Sequence, residues 1–114
     1  MKENIILTKS FEFALRIVQF SELLEEKKHF IFANQILKSG TSVGANVREA
    51  QHAESKTDFI HKLKIAAKEA EETEYWLLLC SHSKNHPDTD NLLCLIKDLQ
   101  RILTRIIVTT KKNN

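Results

Sequence analysis

Residues 39–76 read SGTSVGANVREAQHAESKTDFIHKLKIAAKEAEETEYW, and this stretch decides the fold. Ser55 followed by Asp58 predicts a helix start, because the serine oxygen can accept an unpaired backbone N–H and the carboxylate favours the positive end of the helix. Beyond this cap, apolar or small residues recur at alternating steps of four and three. The pattern is typical of a helix packed along other helices, and it predicts one from about Lys56 to His82. Its members are Phe59, Leu63, Ala66, Ala70, Thr73, Leu77 and Cys80.

A second set of residues lies on one flank of this apolar seam. At 3.6 residues per turn the flank carries Lys62, Ile65, Glu69 and Trp76. The opposite, outward positions are His61, Lys64, Lys68 and Tyr75. Charged residues on such a flank are either solvated or, if buried, paired at a further interface, and the pattern alone leaves both interpretations open.

The composition indicates one soluble helical domain over residues 1–114. Hydrophobic residues make up 42% and charged residues 28% of the chain, which is ordinary for a soluble protein. Two glycines and one proline in 114 residues favour long helices with short connections. No apolar run approaches the roughly 18 residues of a membrane span, and the amino terminus lacks a signal-peptide hydrophobic region. We therefore expect a cytoplasmic protein without membrane contact.

The first predicted helix begins near Thr8 or Ser10 and has an unusually wide apolar face. One set of residues falls at helical spacing, namely Phe11, Ala14, Leu15, Val18 and Leu24, and a second set widens it, namely Phe13, Ile17 and Phe20. This width exceeds what a two-helix contact needs. Either the helix is deeply buried, or part of its face meets another subunit.

The second predicted helix runs from His29 or Phe30 to about Ala53 and passes through both glycines. Gly40 and Gly44 lie at i and i+4, so they stack on one side and permit close approach of a neighbouring backbone. That contact can offset their helix-propensity cost of about 1 kcal/mol each. A phosphate-binding P-loop is excluded because Ala45 and Asn46 stand where a lysine and a hydroxyl residue are needed. Further along, Arg48 and Glu49 suggest an internal ion pair, with Arg48 reaching Glu69 or Glu72.

A fourth helix follows the only proline, Pro87, with Asp88 or Thr89 as its cap. Its apolar positions have the same spacing as those of the third helix: Leu92, Ile96, Leu99, Leu103 and Ile106, broadened by Leu95, Ile102 and Ile107. Four helices with short links predict an all-α, antiparallel up-and-down four-helix bundle. Each helix has more apolar surface than one small bundle can bury, so we expect a homo-oligomer.

Neither a catalytic nor a metal-binding arrangement is found in the sequence. The histidines His29, His52, His61, His82 and His86 lie near helix ends or on predicted exposed faces, and no Glu-x-x-His pair occurs. Glu69 and Glu72 share a helical face, but Arg48 or Lys62 can neutralise them. Cys80 and Cys94 both sit among leucines and are predicted to act as small hydrophobic residues. We predict no enzyme activity, cofactor or metal.

The net charge of +2 is too small to identify a nucleic-acid-binding protein, but its distribution is suggestive. Basic residues precede the acidic group Glu69, Glu71, Glu72 and Glu74, and a basic tail ends the chain. Such runs are usually solvated faces. The alternative is a phosphate-contacting surface, for which the candidates are Lys56, Lys64, Lys68, Lys111 and Lys112.

Several segments resemble one bacterial family. KSGTSVGANVREA (residues 38–50), DFIHKL (58–63), IAAKEA (65–70) and ETEYWL (72–77) are closely similar to the four-helix-bundle proteins encoded in intervening sequences of bacterial 23S rRNA genes. The similarity extends to SFEFA (10–14) and IVTTK (107–111) and so covers nearly the whole chain. The chain is also similar to the accessory proteins of diversity-generating retroelements.

The resemblance implies an antiparallel four-helix protomer assembled into a ring-shaped homopentamer. The retroelement proteins it resembles are basic pentameric barrels that associate with nucleic acid and a reverse transcriptase. Residues that match the family motif are interpreted as packing and assembly residues: Gly40, Gly44, Arg48, Glu49, Lys62, Glu69, Glu72 and Trp76. Two functions follow as hypotheses, an RNA- or DNA-binding scaffold or a protein–protein adaptor that binds no nucleic acid.

Overall fold

The computed structural model describes residues 4–113, which form four α-helices and no strand. Each helix packs against its neighbours in the sequence, and the last one closes the bundle against the first. The asparagine that precedes the first helix donates from Asn4 Nδ2 to Gln51 Oε1 at 2.8 Å, so the start of that helix lies beside the end of the second. The predicted all-α four-helix bundle is confirmed, and it measures 50 × 24 × 20 Å. The helices are α1 (Ile5–Glu26), α2 (Phe30–Ala50), α3 (Lys56–Ser81) and α4 (Asp90–Lys112).

Helix α3 forms as its sequence predicts. The Ser55 hydroxyl accepts a hydrogen bond from the Asp58 backbone N–H at 3.0 Å, and the Asp58 carboxylate accepts one from the Glu54 N–H at 3.2 Å. These bonds satisfy donors that would otherwise be unpaired at the helix start. Every predicted seam residue beyond Phe59 is buried, and Phe59 itself is half-buried. Two of these buried positions are alanines, in a helix that packs against both α2 and α4.

Helix α1 differs from the prediction in both its start and its buried face. It begins at Ile5, because the Asn4 side chain caps it by accepting from the Leu7 N–H at 3.2 Å. Thr8 and Ser10 therefore lie inside the helix, and the Ser10 hydroxyl donates to the Leu7 carbonyl. The three residues expected only to widen the apolar face, Phe13, Ile17 and Phe20, are buried in the core. Leu24 of the main predicted set is buried with them, as is Ile6, which was in neither set. Of the two explanations for the wide face, complete burial of α1 is wrong.

Helix α2 is continuous through residues 39–44, as predicted, although it ends at Ala50 rather than near Ala53. Both glycines face α1. A methyl group at Gly40 would lie 2.8 Å from Ile17 Cγ2, and one at Gly44 would lie 3.2 Å from the Ser10 carbonyl oxygen. Absence of a side chain at these two positions therefore allows the close α1–α2 approach that offsets the poor helix propensity of glycine.

Helix α4 begins after Thr89, as predicted, although it is the Asp88 carboxylate that accepts a hydrogen bond, from the Asp90 N–H at 2.9 Å. Its first four predicted core residues are buried, and the other predicted apolar residues, Leu95, Ile102, Ile106 and Ile107, are partly buried. The prediction for the cysteines holds for Cys80, where burial raises the thiol pKa, but is wrong for Cys94, which is exposed. Within residues 4–113, no helix combines the length and apolar character needed to cross a membrane.

Candidate nucleic-acid interface

The antiparallel packing of α3 and α4 brings two of the predicted basic residues together. Lys64 projects from the first half of α3, and Lys111 from the last turn of α4. The two side chains lie side by side. The pKa of Lys111 is lowered first by a hydrogen bond with Lys64 that can form only when one of the two amines is uncharged, and then by charge repulsion between the two groups. Neither lysine forms an ion pair within residues 4–113.

A shallow cleft of about 320 Å³ lies at this meeting point. Its lining residues are Thr57, Ile60, His61, Lys64 and Lys111. Four of the five carry a hydrogen-bonding or charged group, and none carries a carboxylate. The cleft therefore presents a positive electrostatic potential to solvent.

The other predicted basic residues surround this cleft without lining it. Lys56 is the first residue of α3, Lys68 lies one turn beyond Lys64, and Lys112 follows Lys111. All are exposed. The five sequence-predicted lysines are therefore all at the surface, and the fold places Lys64 and Lys111 in one cleft.

Sequence analysis missed a row of basic residues on α4. Lys97, Arg101 and Arg105 are spaced by four residues and line an open groove of about 800 Å³ on the outer face of that helix. Arg101 donates to the Asp98 carboxylate at 2.9 Å, whereas Arg105 makes no ion pair in the part of the chain described. The i, i+4, i+8 spacing was visible in the sequence and could have identified the row. We define the basic surface as Lys56, Lys64 and Lys68 of α3 with Arg101, Arg105, Lys111 and Lys112 of α4.

The acidic group of α3 is divided among different environments. Glu74 is mostly shielded, with 13% of its side chain exposed, and its carboxylate lies 2.7 Å from Lys97 Nζ. It also accepts from Gln100 Nε2 at 3.3 Å. The hydrogen bond from Lys97 is the main cause of its lowered pKa, while partial desolvation opposes the shift. Glu74 thus stabilises the α3–α4 contact, a role that the sequence did not predict.

The predicted ion pair between Arg48 and Glu69 or Glu72 does not form in the protomer. Lys62 of α3 instead donates to Glu49 of α2 at 3.0 Å. The cation of the pair therefore belongs to α3 and the anion to α2, whereas the prediction placed the cation on α2 and the anion on α3. Rotation of α2 turns Glu49 toward α3 and Arg48 away from it. Within residues 4–113, Arg48 has no ion-pair partner, and it is exposed.

Glu69 and Glu72 are likewise without a cationic partner in the described part of the chain. Glu69 is half-buried, and the Glu72 carboxylate accepts a 3.3 Å hydrogen bond from Trp76 Nε1. The Trp76 ring packs edge-on against Phe32 of α2, with ring centroids 6.5 Å apart. Trp76 therefore contacts the neighbouring helix while its polar edge is satisfied within α3.

An apolar stripe on α1 remains in solvent. Phe11, Leu15 and Val18 are 53%, 51% and 41% exposed. Beside Phe11, the groove between α1 and α2 is lined by Gly44, Ala45 and Arg48, among others. Helix α1 packs against α2 and α4, and the stripe borders its contact with α2.

The chemically reactive side chains are dispersed. His52, His61 and His82 are exposed at separate sites along the bundle, and His29 and His86 are partly buried. Across residues 4–113, no group of three or more His, Cys, Asp or Glu side chains is arranged to hold a metal ion.

Comparison with known proteins identifies the family. The sequence profile of the 23S rRNA-intervening sequence proteins matches residues 2–106. The chain belongs to this family.

A solved structure from the same group of proteins agrees with the fold. A protein of unknown function from Bacteroides thetaiotaomicron, described as a member of the S23 ribosomal protein family, is 45% identical. The match covers 90% of this intervening-sequence protein and 97% of the other chain, with a TM-score of 0.85. No curated protein matches the chain. The similarity supports the four-helix architecture.

Proposed function

We propose that this protein is a non-enzymatic, cytoplasmic scaffold that assembles as a homo-oligomer and binds RNA or DNA through the basic surface. The observation that carries the proposal is the cleft between α3 and α4 that both Lys64 and Lys111 line. Two like charges that lie side by side are electrostatically unfavourable, and the phosphates of a nucleic acid would relieve that repulsion. The basic row on α4 extends the same surface.

The expected mode of binding is contact with the phosphate backbone. Lysine and arginine side chains at a surface neutralise phosphates without reading the sequence of bases. Tyr75 is an exposed aromatic residue of α3, but it lies three turns from Lys64 and cannot form a stacking platform with the basic cleft. Binding should therefore depend steeply on salt and weakly on base sequence.

Self-association would multiply the small positive charge of one chain. Five copies, the number that the family resemblance implies, would carry a formal charge of about +10, which increases long-range attraction to nucleic acid. The exposed Phe11, Leu15 and Val18 stripe supports self-association, because a contiguous apolar stripe on a soluble bundle is typical of an interface. The unpaired Arg48 beside it is available to a carboxylate of another copy, such as Glu69 or Glu72.

The test is binding of labelled structured RNA and duplex DNA over a salt series, with particle mass measured on the same sample. Lys64→Glu combined with Lys68→Glu should abolish binding at moderate salt while the oligomer mass stays unchanged. The matched control is Lys38→Glu with Lys84→Glu, which changes the charge equally at two residues away from the basic surface. This control should retain binding.

Milder substitutions give a quantitative check. Replacing Lys64 or Lys68 by glutamine should lower the slope of log affinity against log salt by about 0.7 to 0.9 for each phosphate that the variant no longer neutralises. If the reversal variant and the control lose affinity equally, binding reflects total charge and the proposed surface is incorrect.

A protein–protein adaptor is the alternative function. The same exposed stripe on α1 supports it, since an apolar face can recruit a different protein. Measurement of the particle mass distinguishes self-association through this face from binding of a different protein. A monomer that binds no nucleic acid at low salt would favour the adaptor, whereas a stable oligomer would assign the stripe to self-association.

A further inference from the structure

The cleft between α3 and α4 has features of a site for a single anionic group. Lys64 and Lys111 come from different helices, yet both side chains line this one cleft. Nothing within residues 4–113 neutralises either one by an ion pair. Two flexible, exposed lysines can usually separate in solvent, so a fold that directs both into one cleft concentrates positive charge there.

The remaining lining residues complement the two amines. Thr57 and His61 lie on the same side of α3 as Lys64, at steps of four and three residues, and contribute a hydroxyl and an imidazole. Ile60 supplies an apolar part of the wall. The cleft thus offers four hydrogen-bond-donating side chains, three from about two turns of α3 and one from the end of α4, without a carboxylate to repel an anion.

We infer that this cleft binds one phosphate group of a nucleic-acid backbone, held between Lys64 and Lys111 with hydrogen bonds from Thr57 and His61. The inference rests on the proposed nucleic-acid function and adds Thr57 and His61 to the binding residues. A phosphate suits the cleft because its several oxygen atoms accept hydrogen bonds from different directions at once, whereas a carboxylate has two oxygens in one plane. Lysine ammonium groups bind phosphate as point charges and need no planar partner.

Bound phosphate should change the ionisation of the lysine pair. In the free protein, the contact with Lys64 lowers the pKa of Lys111. A phosphate between the two amines favours the charged form of both, so the pKa of Lys111 should rise when the site is occupied. This response is specific to the cleft, because loosely associated ions screen all surface charges by a similar amount.

The experiment uses the full chain and two probes, inorganic phosphate and a short single-stranded oligonucleotide, at constant ionic strength. Proton and carbon NMR signals of the lysine side chains report binding and the pKa of each amine. We expect saturable shifts at Lys64 and Lys111 with each probe, and competition between the probes. Lys64→Gln or Lys111→Gln should weaken phosphate binding by about tenfold or more, as expected for loss of a charged hydrogen bond.

Matched variants distinguish a site from general charge. Lys38→Gln and Lys84→Gln remove the same charge from positions outside the cleft and should leave phosphate binding unchanged. Thr57→Val, which keeps the shape and removes the hydroxyl, should weaken it modestly. Circular dichroism establishes that each variant folds, which is expected because Lys64, Lys111 and Thr57 are all exposed.

Each outcome separates this inference from the proposed function. Saturable phosphate shifts at the lysine pair, absent from both glutamine variants, would support the site. If phosphate leaves the pair unchanged while Lys64→Glu with Lys68→Glu still abolishes nucleic-acid binding, the site is refuted and the scaffold stands. If inorganic phosphate binds but the oligonucleotide neither shifts the pair nor competes, assignment to the nucleic-acid backbone is overturned in favour of a free phosphate site.

Discussion

The contact between Gly40 and Ile17 makes a measurable prediction about how α1 and α2 pack. A methyl group at position 40 would lie 2.8 Å from Ile17 Cγ2 and 2.9 Å from Ile17 Cγ1. Both carbons are bonded directly to Cβ of a fully buried side chain, so they cannot swing away as a flexible chain end can. Gly40→Ala therefore requires the helices to separate or Ile17 to leave its preferred rotamer.

The expected magnitude comes from two opposing effects. Overpacking a close-packed core costs about 1–3 kcal/mol, and replacing a helical glycine by alanine returns about 1 kcal/mol of helix propensity. The net loss in free energy of unfolding should thus be about 1 kcal/mol. Ile17→Ala alone should cost about 2–5 kcal/mol, because it removes buried carbon atoms and leaves a cavity.

The double variant gives the sharper result. Ile17→Ala removes all three carbons that approach position 40, so Gly40→Ala in that background should stabilise the protein by about 1 kcal/mol. The effect of one substitution then changes sign between the two backgrounds, with a coupling energy of about 2 kcal/mol. Independent sites would give no coupling.

Urea unfolding followed by circular dichroism measures all four proteins of this cycle. Particle mass must be measured at the same concentration, since dissociation of an oligomer would add to the apparent stability change. The packing argument fails if Gly40→Ala stabilises the wild-type and Ile17→Ala proteins equally. That result would mean that a methyl group fits at position 40 without displacing Ile17.

Three further predictions concern the cap and the charged residues. Ser55→Ala should lower the free energy of unfolding by about 1 kcal/mol, with Ser55→Asp retaining most of it, and equal stability of all three proteins would contradict the cap. Arg48→Ala should change protomer stability by less than about 0.5 kcal/mol, because the residue is exposed, and a loss of several kcal/mol would indicate a buried ion pair. Because its folded pKa lies below the usual 4.5, Glu74 contributes stability above that value, which is lost as the pH falls through the folded pKa. Lys97→Ala should therefore cost about 1 kcal/mol near neutral pH, and this cost should shrink in acid; a cost that is constant with pH would show that the pair is not responsible.

The sequence was sufficient to predict a structural feature where a local pattern of residues is compatible with only one arrangement. Ser55 and Asp58 are close in the chain, so the cap of α3 depends on little else. The seam from Leu63 to Cys80 is the main apolar stripe of α3, so this is the face that the helix buries when it packs. Gly40 and Gly44 similarly indicated close packing, because the apolar residues of α2 keep their helical spacing on both sides of the two glycines.

Only the tertiary structure decided the outcome where the sequence offered two nearly equal faces. Helix α1 carries an apolar stripe through Phe13 and Ile17 and another through Phe11 and Leu15, and hydrophobicity does not distinguish them. The first is buried between two helices: Ile17 lies against Gly40 of α2, and Phe13 lies beside Leu95 and Leu99 of α4. The sequence did not identify Asn4 as the cap. The predicted apolar face began at Phe11, and this placed the start of the helix near Thr8 or Ser10.

The charged contacts were decided in the same way, by how the helices are rotated and aligned. Arg48 and Glu49 are successive residues about 100° apart on α2, so a small rotation determines which one faces Lys62. Lys64 and Lys111 are far apart in the sequence, and they line one cleft because α3 and α4 pack antiparallel. Helix formation and burial follow from local patterns of residue type, whereas the pairing of surface charges depends on distances that exist only in the assembled bundle.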